Sequence, residues 1–136
     1  MACLDTTFLV DLARTRPSPA GERARAKRRQ LADRGEPLLT TRFNVAELYV
    51  GLWRAPDVAR EERAVAAILH GMGILEFDDR AARLFGRITA RLQRLGRPAG
   101  DMDVLIGATA LAADALFITR NAEHFADIPG LRVETY

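Results

Sequence analysis

Short apolar segments separated by helical ones are the feature of this sequence that most restricts its fold. Strands are predicted at residues 2–4, 37–40, 74–77 and 116–119, with a possible fifth at 132–134. Strands that helices cover on both faces appear as short apolar runs rather than as alternating patterns. The alternation with helices therefore predicts an α/β protein with a central, mostly parallel sheet of four to five short strands, flanked by helices.

The helices are predicted from apolar residues at helical spacing and from the residues that end helices. They cover residues 7–14, 22–34, a segment starting near 44, 57–69, 78–95, and a segment from 101 or 102 to 113. The helix over 78–95 is the clearest, because its apolar residues line one face and Gly96 follows it. Pro17 and Pro19 are expected in a loop, and residues 97–100 in a turn.

Composition restricts the class of protein. Of 136 residues, 49% are apolar and 28% are charged, which is ordinary for a globular protein and argues against disorder. We expect one domain over residues 1–136, large enough to bury about two thirds of its unfolded surface. No apolar run is long enough to cross a bilayer, and no secretory signal is visible. Cys3 is the single cysteine, so a cytoplasmic location without a membrane partner is expected.

Acidic or amide side chains stand at predicted strand ends and helix starts in four separate segments. They are Asp5, Glu47, Asp101, Asp103 and Asn121. In a parallel sheet these positions meet at one edge, which is where ligands bind. Neighbouring carboxylates repel each other until one binds a proton or a cation intervenes, and a set of oxygen ligands selects Mg²⁺ or Mn²⁺. The sequence therefore predicts a metal-dependent hydrolase.

Each of these residues, taken alone, also has a structural interpretation. Aspartate and asparagine cap helices or start turns, and acids complement the positive end of a helix dipole. Asn44 followed by Glu47 resembles a capping box. Serine or threonine would serve equally well as caps, so carboxylates at four positions favour the cation site. The two imidazoles, His70 and His124, are expected at a helix end and at the surface rather than as ligands.

Four motifs in order resemble those of PIN-domain proteins, and most closely those of the VapC toxins of bacterial type II toxin–antitoxin systems. They are LDTTFL at 4–9, AEL at 46–48, DVLIGATA at 103–110 and TRNAEHF at 119–125. The resemblance covers essentially the whole chain and implies a single three-layer PIN domain. It also implies an Mg²⁺- or Mn²⁺-dependent endoribonuclease that inhibits translation and growth, is usually a homodimer, and is neutralised by a cognate VapB antitoxin.

The resemblance also assigns roles to residues. Asp5, Glu47 and Asp103 match the three core acids of the family, and Asp101 is an additional acid two residues before Asp103. These four residues would hold the metal ion, and Glu47 would ligate it directly or through a water. Asn121 stands where some relatives have a fourth aspartate, which leaves one negative charge fewer. The residues assigned to substrate or water contacts are Thr6, Thr119 and Arg120.

A basic segment at residues 14–34 is a second candidate surface. Eight arginine or lysine side chains stand there against Glu22 and Asp33. Such a segment suits the phosphates of RNA, with Arg25 and Arg28 as contacts, or an acidic stretch of antitoxin. It suits a solvated helix face equally well.

Three further interpretations stay open at this point. Tyr49, Leu52 and Trp53 suit a dimer or antitoxin surface, and equally the core. A PIN-like module that binds nucleic acid or protein without catalysis is the main alternative function, although such a module has no need of carboxylates that repel a polyanion. An aspartate-nucleophile phosphatase requires a second aspartate two residues after Asp5, where Thr7 stands.

Overall fold

A sheet of five parallel strands forms the centre of the protein, in a computed structural model that describes residues 1–97 and 100–136. The strands are β1 (Ala2–Leu4), β2 (Leu38–Thr41), β3 (Gly73–Leu75), β4 (Leu116–Ile118) and β5 (Val133–Glu134). Their order in the sheet is β3-β2-β1-β4-β5, and every neighbouring pair is parallel. The predicted parallel sheet is confirmed.

Six α-helices in the described residues connect these strands. They are α1 (Thr6–Ala13), α2 (Pro19–Asp33), α3 (Arg42–Arg54), α4 (Val58–Leu69), α5 (Asp79–Arg94) and α6 (Asp101–Ala112), and a 3₁₀ turn, Ala122–Phe125, precedes β5. None of these helices has both the length and the apolar character that crossing a membrane requires.

The sheet has a hydrophobic core on each face, because successive strand residues point in opposite directions. Cys3 and Phe117 pack with residues of α5 and α6. Leu4 and Ile118 pack on the other face with residues of α1, α2, α3 and α4. All four strand residues are completely buried. The three-layer α/β arrangement expected from the apolar runs is therefore observed.

Two helices begin two or three residues earlier than predicted because other residues cap them. α2 begins at Pro19 rather than at residue 22, and Ser18 Oγ accepts a hydrogen bond from the Gly21 N–H at 3.0 Å. Proline suits the first turn because a helix leaves that N–H unpaired in any case. α3 begins at Arg42 rather than near residue 44, since Thr41 is its N-cap.

The third strand is displaced from its predicted position, 74–77, and ends at Leu75. Phe77 instead packs edge-on against Phe43 and Phe85, with ring centroids 5.5 and 6.4 Å away. These aromatic contacts take the chain out of the sheet and into α5. The turn predicted at 97–100 includes two positions, 98 and 99, that lie outside the described residues.

The strand order reverses at β1, and this reversal positions the candidate site. From β1 the chain adds β2 and β3 on one side of the sheet, and then β4 and β5 on the other side. Leu4 is in register with Ile118, so Asp5 and Thr119 follow adjacent strand ends. The carboxyl ends of strands at such a reversal form the usual ligand crevice of a parallel sheet.

Candidate active site

Asp5 follows the carboxyl end of β1 at this reversal, and side chains from three segments hold its carboxylate. Oδ2 accepts hydrogen bonds from Thr7 Oγ1 at 2.8 Å and from Thr119 Oγ1 at 2.7 Å. Oδ1 accepts one from Asn44 Nδ2 at 3.1 Å. The backbone N–H of Asp5 donates to the Ile118 carbonyl at 3.0 Å. The carboxylate is 5% exposed and fixed in orientation.

Three of the residues that the capping interpretation covered do not act as caps. Asp5 occupies the N-cap position of α1, yet its side chain makes no capping hydrogen bond. Asn121 precedes the 3₁₀ turn and makes none either. Asp101 is already helical, since Gly100 occupies the N-cap position of α6. The capping interpretation is therefore wrong for these three residues.

Thr41 and Asn44, rather than Asn44 and Glu47, form the capping box at the start of α3. The Asn44 N–H donates to Thr41 Oγ1 at 3.1 Å, and Asn44 Oδ1 accepts from the Thr41 N–H at 3.3 Å. The same side chain donates through Nδ2 to Thr6 Oγ1 at 3.0 Å, as well as to Asp5. Sequence analysis missed this link, although the position of Asn44 three residues before Glu47 was a usable signal.

Glu47 lies in α3, is partly buried, and accepts a hydrogen bond from the Thr6 hydroxyl. Burial raises the pKa of Glu47 above its ordinary value, and the negative charges of Asp5 and Asp103 raise it further against the opposing hydrogen bond from Thr6. Three acids from distant parts of the chain therefore share one electrostatic environment.

Asp103 lies in the first turn of α6, beside the 3₁₀ turn. Its Oδ2 is 3.3 Å from Nδ1 of His124, which is exposed as predicted but contacts an acid as well. Among residues 1–97 and 100–136, no three histidine, cysteine, aspartate or glutamate side chains are arranged so that they could hold a metal ion together. Hydroxyl, amide and imidazole groups lie against the three acids instead.

Four other predicted site residues lie around or outside this cluster. Asp101 is exposed and is not among the charges that raise the pKa of Glu47. The backbone N–H of Asn121 donates to Thr119 Oγ1 at 3.1 Å. Asn121 therefore contacts the site through its backbone rather than through its side chain. Arg25 and Arg28 lie on α2, which packs mainly against α1. Direct roles for these four residues stay predictions.

The Arg120 side chain pairs with Asp11 of α1. Arg120 Nη1 donates to Asp11 Oδ2 at 2.8 Å, and the Arg120 N–H donates to Thr7 Oγ1 at 3.4 Å. Asp11 is completely buried and also accepts a hydrogen bond from the Tyr136 hydroxyl at 2.8 Å. Sequence analysis missed Asp11 and Tyr136. The available signal was an acid three residues after Phe8, on the apolar face of a helix.

Cys3 takes no part in the chemistry of the crevice. It lies fully buried within β1, and burial, with a smaller contribution from the charge of Asp5, raises the pKa of its thiol well above the ordinary range. A neutral, enclosed thiol is a poor nucleophile.

Comparison with known proteins gives consistent matches over nearly the whole chain. The family model described as PIN domain matches residues 2–131. Ribonuclease VapC19 of Mycobacterium tuberculosis is 31% identical over 132 residues, which cover 97% of this chain and 98% of that protein. The tRNA(fMet)-specific endonuclease VapC of Shigella flexneri is 26% identical over 133 residues, or 98% of this chain and 96% of that protein.

A solved structure gives the same result for the fold. The crystal structure of DNA-bound VapBC from Salmonella typhimurium matches with a TM-score of 0.83 and 25% sequence identity. The match covers 98% of this chain and 96% of that one. The arrangement of strands and helices described above is therefore shared along its full length.

Proposed function

This chain is a PIN-domain protein of the VapC ribonuclease family, and on that basis we propose that it is a metal-dependent endoribonuclease acting as the toxin of a toxin–antitoxin pair. It cleaves RNA phosphodiester bonds and thereby inhibits translation and growth. The observation that carries the proposal is geometric: Asn44 donates hydrogen bonds to both Asp5 and Thr6, and Thr6 donates one to Glu47. These contacts join two acids at the carboxyl end of β1, and the charge of Asp103 acts on the same site. A module that only binds RNA gains nothing from acids that repel phosphates.

The acids suit a hard divalent cation, Mg²⁺ or Mn²⁺. Asp5, Glu47 and Asp103 offer carboxylate oxygens, the ligands that these ions prefer. The raised pKa of Glu47 reflects burial and like charge, both of which a cation among the acids would offset. We assign Asp5 and Asp103 as ligands, with Asp101 and Glu47 assisting. When bound, the ion supplies a water of lowered pKa and neutralises charge on the phosphate.

The residues around the acids orient the reacting groups. Thr7, Thr119 and Asn44 hold the Asp5 carboxylate in one orientation, so that it needs no rearrangement when RNA binds. Thr6 holds Glu47, which directs the attacking water. The residues that we assign to phosphate contacts are Thr6, Thr119, Arg120 and Asn121.

The decisive experiment incubates the purified chain with total RNA in Mg²⁺, in Mn²⁺ and in EDTA. Discrete fragments should form only with metal, and Asp5→Asn should cleave at least about a hundredfold more slowly, because it loses a charge in the reacting site. Asp33→Asn, on the exposed side of α2, is the matched control and should cleave normally. Normal cleavage by Asp5→Asn would overturn the site. Without any cleavage, a melting temperature indifferent to metal would favour the binding module.

We further propose a VapB-type antitoxin as partner, a homodimer, and a cytoplasmic location. The Salmonella complex pairs a related chain with VapB on DNA. On α3, Leu52 is buried, whereas Tyr49, Val50 and Trp53 are 48%, 57% and 74% exposed. Large exposed apolar side chains of this kind mark interfaces. Trp53→Ala with Tyr49→Ala should convert a dimer to a monomer in light scattering, and an unchanged mass would reject this face as the dimer contact.

A further inference from the structure

One face of α5 carries a row of arginines, and we propose that this row binds the phosphate backbone of RNA beside the acid site. The inference rests on the proposed nuclease function and concerns how the substrate reaches it. The row consists of Arg80, Arg83, Arg87, Arg91 and Arg94, and all five side chains are exposed.

The five side chains form a line. At about 100° per residue they fall within an arc of about 80° around the helix axis. From first to last they extend along about 21 Å of helix. The buried residues Ala81 and Leu92 lie on the far side of α5 from the row. A narrow line of positive charge matches a linear polyanion better than it matches a compact ligand.

Most of the row has no acidic partner among residues 1–97 and 100–136. Only Arg83 is paired, with Asp79 at 2.7 Å, and both side chains are about four-fifths exposed (79% and 80%). Such exposed ion pairs contribute little to stability, so a phosphate can replace Asp79 as the partner of Arg83. A cavity of about 320 Å³ is lined by Arg87, Ile88, Arg91, Arg94 and Pro129. Guanidinium groups can bind phosphate there, and the apolar surface can contact a ribose or base.

The end of the row lies close to the acids. α5 packs against α6, whose first turn holds Asp103. Arg97, just beyond the row, pairs with Asp127 at 3.5 Å, while His124 contacts Asp103 at 3.3 Å. Asp127 and His124 are three residues apart, so even a fully extended chain would separate them by only about 10 Å. One short segment therefore joins the row to the acid cluster.

The basic segment of α2 is the weaker candidate for this role. Lys27 and Arg34 both pair with Glu134 of β5, at 2.5 and 3.9 Å, and the Lys27 hydrogen bond lowers the pKa of Glu134. The Lys27 side chain is only 11% exposed. Part of the α2 charge is therefore neutralised within the fold, and α2 packs mainly against α1 rather than beside Asp103.

A second copy of this chain does not fit the α5 row. A two-fold contact centred on the row would place the row against itself, because both partners of such an interface use the same surface. Guanidinium groups would then face guanidinium groups at close range. RNA phosphates supply the opposite charge and release counterions as they bind.

The test measures RNA affinity in the cleavage-deficient Asp5→Asn protein, using fluorescently labelled single-stranded RNA at about 50 to 200 mM salt. One variant changes three arginines of α5 to glutamine: Arg87, Arg91 and Arg94. The matched control makes the same charge change at three exposed arginines without an assigned role: Arg23 and Arg29 of α2, and Arg63 of α4. Circular dichroism and melting temperature check that each variant is folded, and Arg91→Gln alone serves if the triple variant is not.

The α5 triple variant should bind about ten- to a hundredfold more weakly, and the slope of log affinity against log salt should become shallower by about 2. A lysine triple variant at the same positions should keep the slope, and the matched control should bind normally. Unchanged RNA affinity of the α5 variant, or loss of antitoxin affinity alone, would overturn the inference. Neither result affects the proposed function, which fails only if the parent chain does not cleave RNA with any metal.

Discussion

The hydroxyl of Thr119 donates a hydrogen bond to Oδ2 of Asp5 at 2.7 Å and joins the carboxyl end of β4 to that of β1. Thr7 donates to the same oxygen at 2.8 Å. Two hydroxyls therefore orient one carboxylate oxygen at the reversal of strand order. The donors belong to segments that only the completed sheet brings together.

Thr119→Val should weaken both the fold and the site. Valine keeps the shape of the side chain but removes one donor to Asp5 and the acceptor of the Asn121 N–H. We expect a loss of about 1 kcal/mol in the free energy of unfolding, together with slower RNA cleavage. Urea denaturation and a cleavage assay measure the two effects. Thr119→Ser should retain both properties, and a Val variant equal to the parent would refute the role of the hydroxyl.

The raised pKa of Glu47 predicts a pH dependence of stability in metal-free protein. The pKa of Glu47 is higher in the folded state than in the unfolded state, so the folded protein binds this proton more tightly. The resulting contribution to the free energy of unfolding is fully present below the unfolded pKa. It then falls as pH rises through the folded pKa. Glu47→Gln should lessen that fall, which thermal melts from about pH 4 to 8 would show. Identical pH profiles for the two proteins would contradict the shift.

The Asp11 cluster predicts a ranking of three substitutions. Tyr136→Phe keeps the ring that packs on Phe8 at 4.9 Å and loses one hydrogen bond, at about 1 kcal/mol. Arg120→Ala should cost more, about 2 kcal/mol, because a buried carboxylate loses its charged partner, itself 42% exposed.

Arg14→Ala is the control for this ranking. Arg14 Nε lies 3.3 Å from Asp11 Oδ1, but that oxygen accepts no hydrogen bond within the described residues. We expect a smaller loss in the free energy of unfolding than for Arg120→Ala, because Arg14→Ala removes no hydrogen bond to Asp11. Denaturant titration orders the three variants, and an Arg14→Ala cost equal to that of Arg120→Ala would reverse the assignment.

Cys3 should be unreactive in the native protein. Its thiol is buried and its pKa is raised, so little thiolate is present and reagents have no access. A chromogenic thiol reagent should label one group per chain in denaturant and almost none without it. Rapid labelling of native protein would show that β1 is not enclosed as described.

The sequence predicted the parallel sheet and the acidic residues of the site because both depend on local patterns. The apolar runs at 2–4 and 116–119 lack alternation, which is what strands covered on both faces require. The sequence did not predict that Thr7 and Asn44 donate hydrogen bonds to Asp5. Threonine and asparagine are also common at helix starts, and no local pattern separates that role from a contact with a distant carboxylate. The bond between Asp11 and Tyr136 joins residues 125 positions apart, so only the fold reveals it.

The α5 row was overlooked for a different reason. The same helix has the clearest apolar face in the sequence, and only that apolar face was interpreted. The packing of α5 against α6, whose first turn contains Asp103, is what distinguishes these arginines from those of α2.

The central place of β1 in the sheet also determines when the crevice can first exist. A nascent chain that ends before residue 101 contains Asp5 and Glu47 but neither Asp103 nor β4, the strand beside β1. Contacts between such distant segments form late, since the intervening chain must first be made and closed into a loop. The complete acid cluster can therefore form only after most of the chain has left the ribosome, so an unfinished chain has no assembled site.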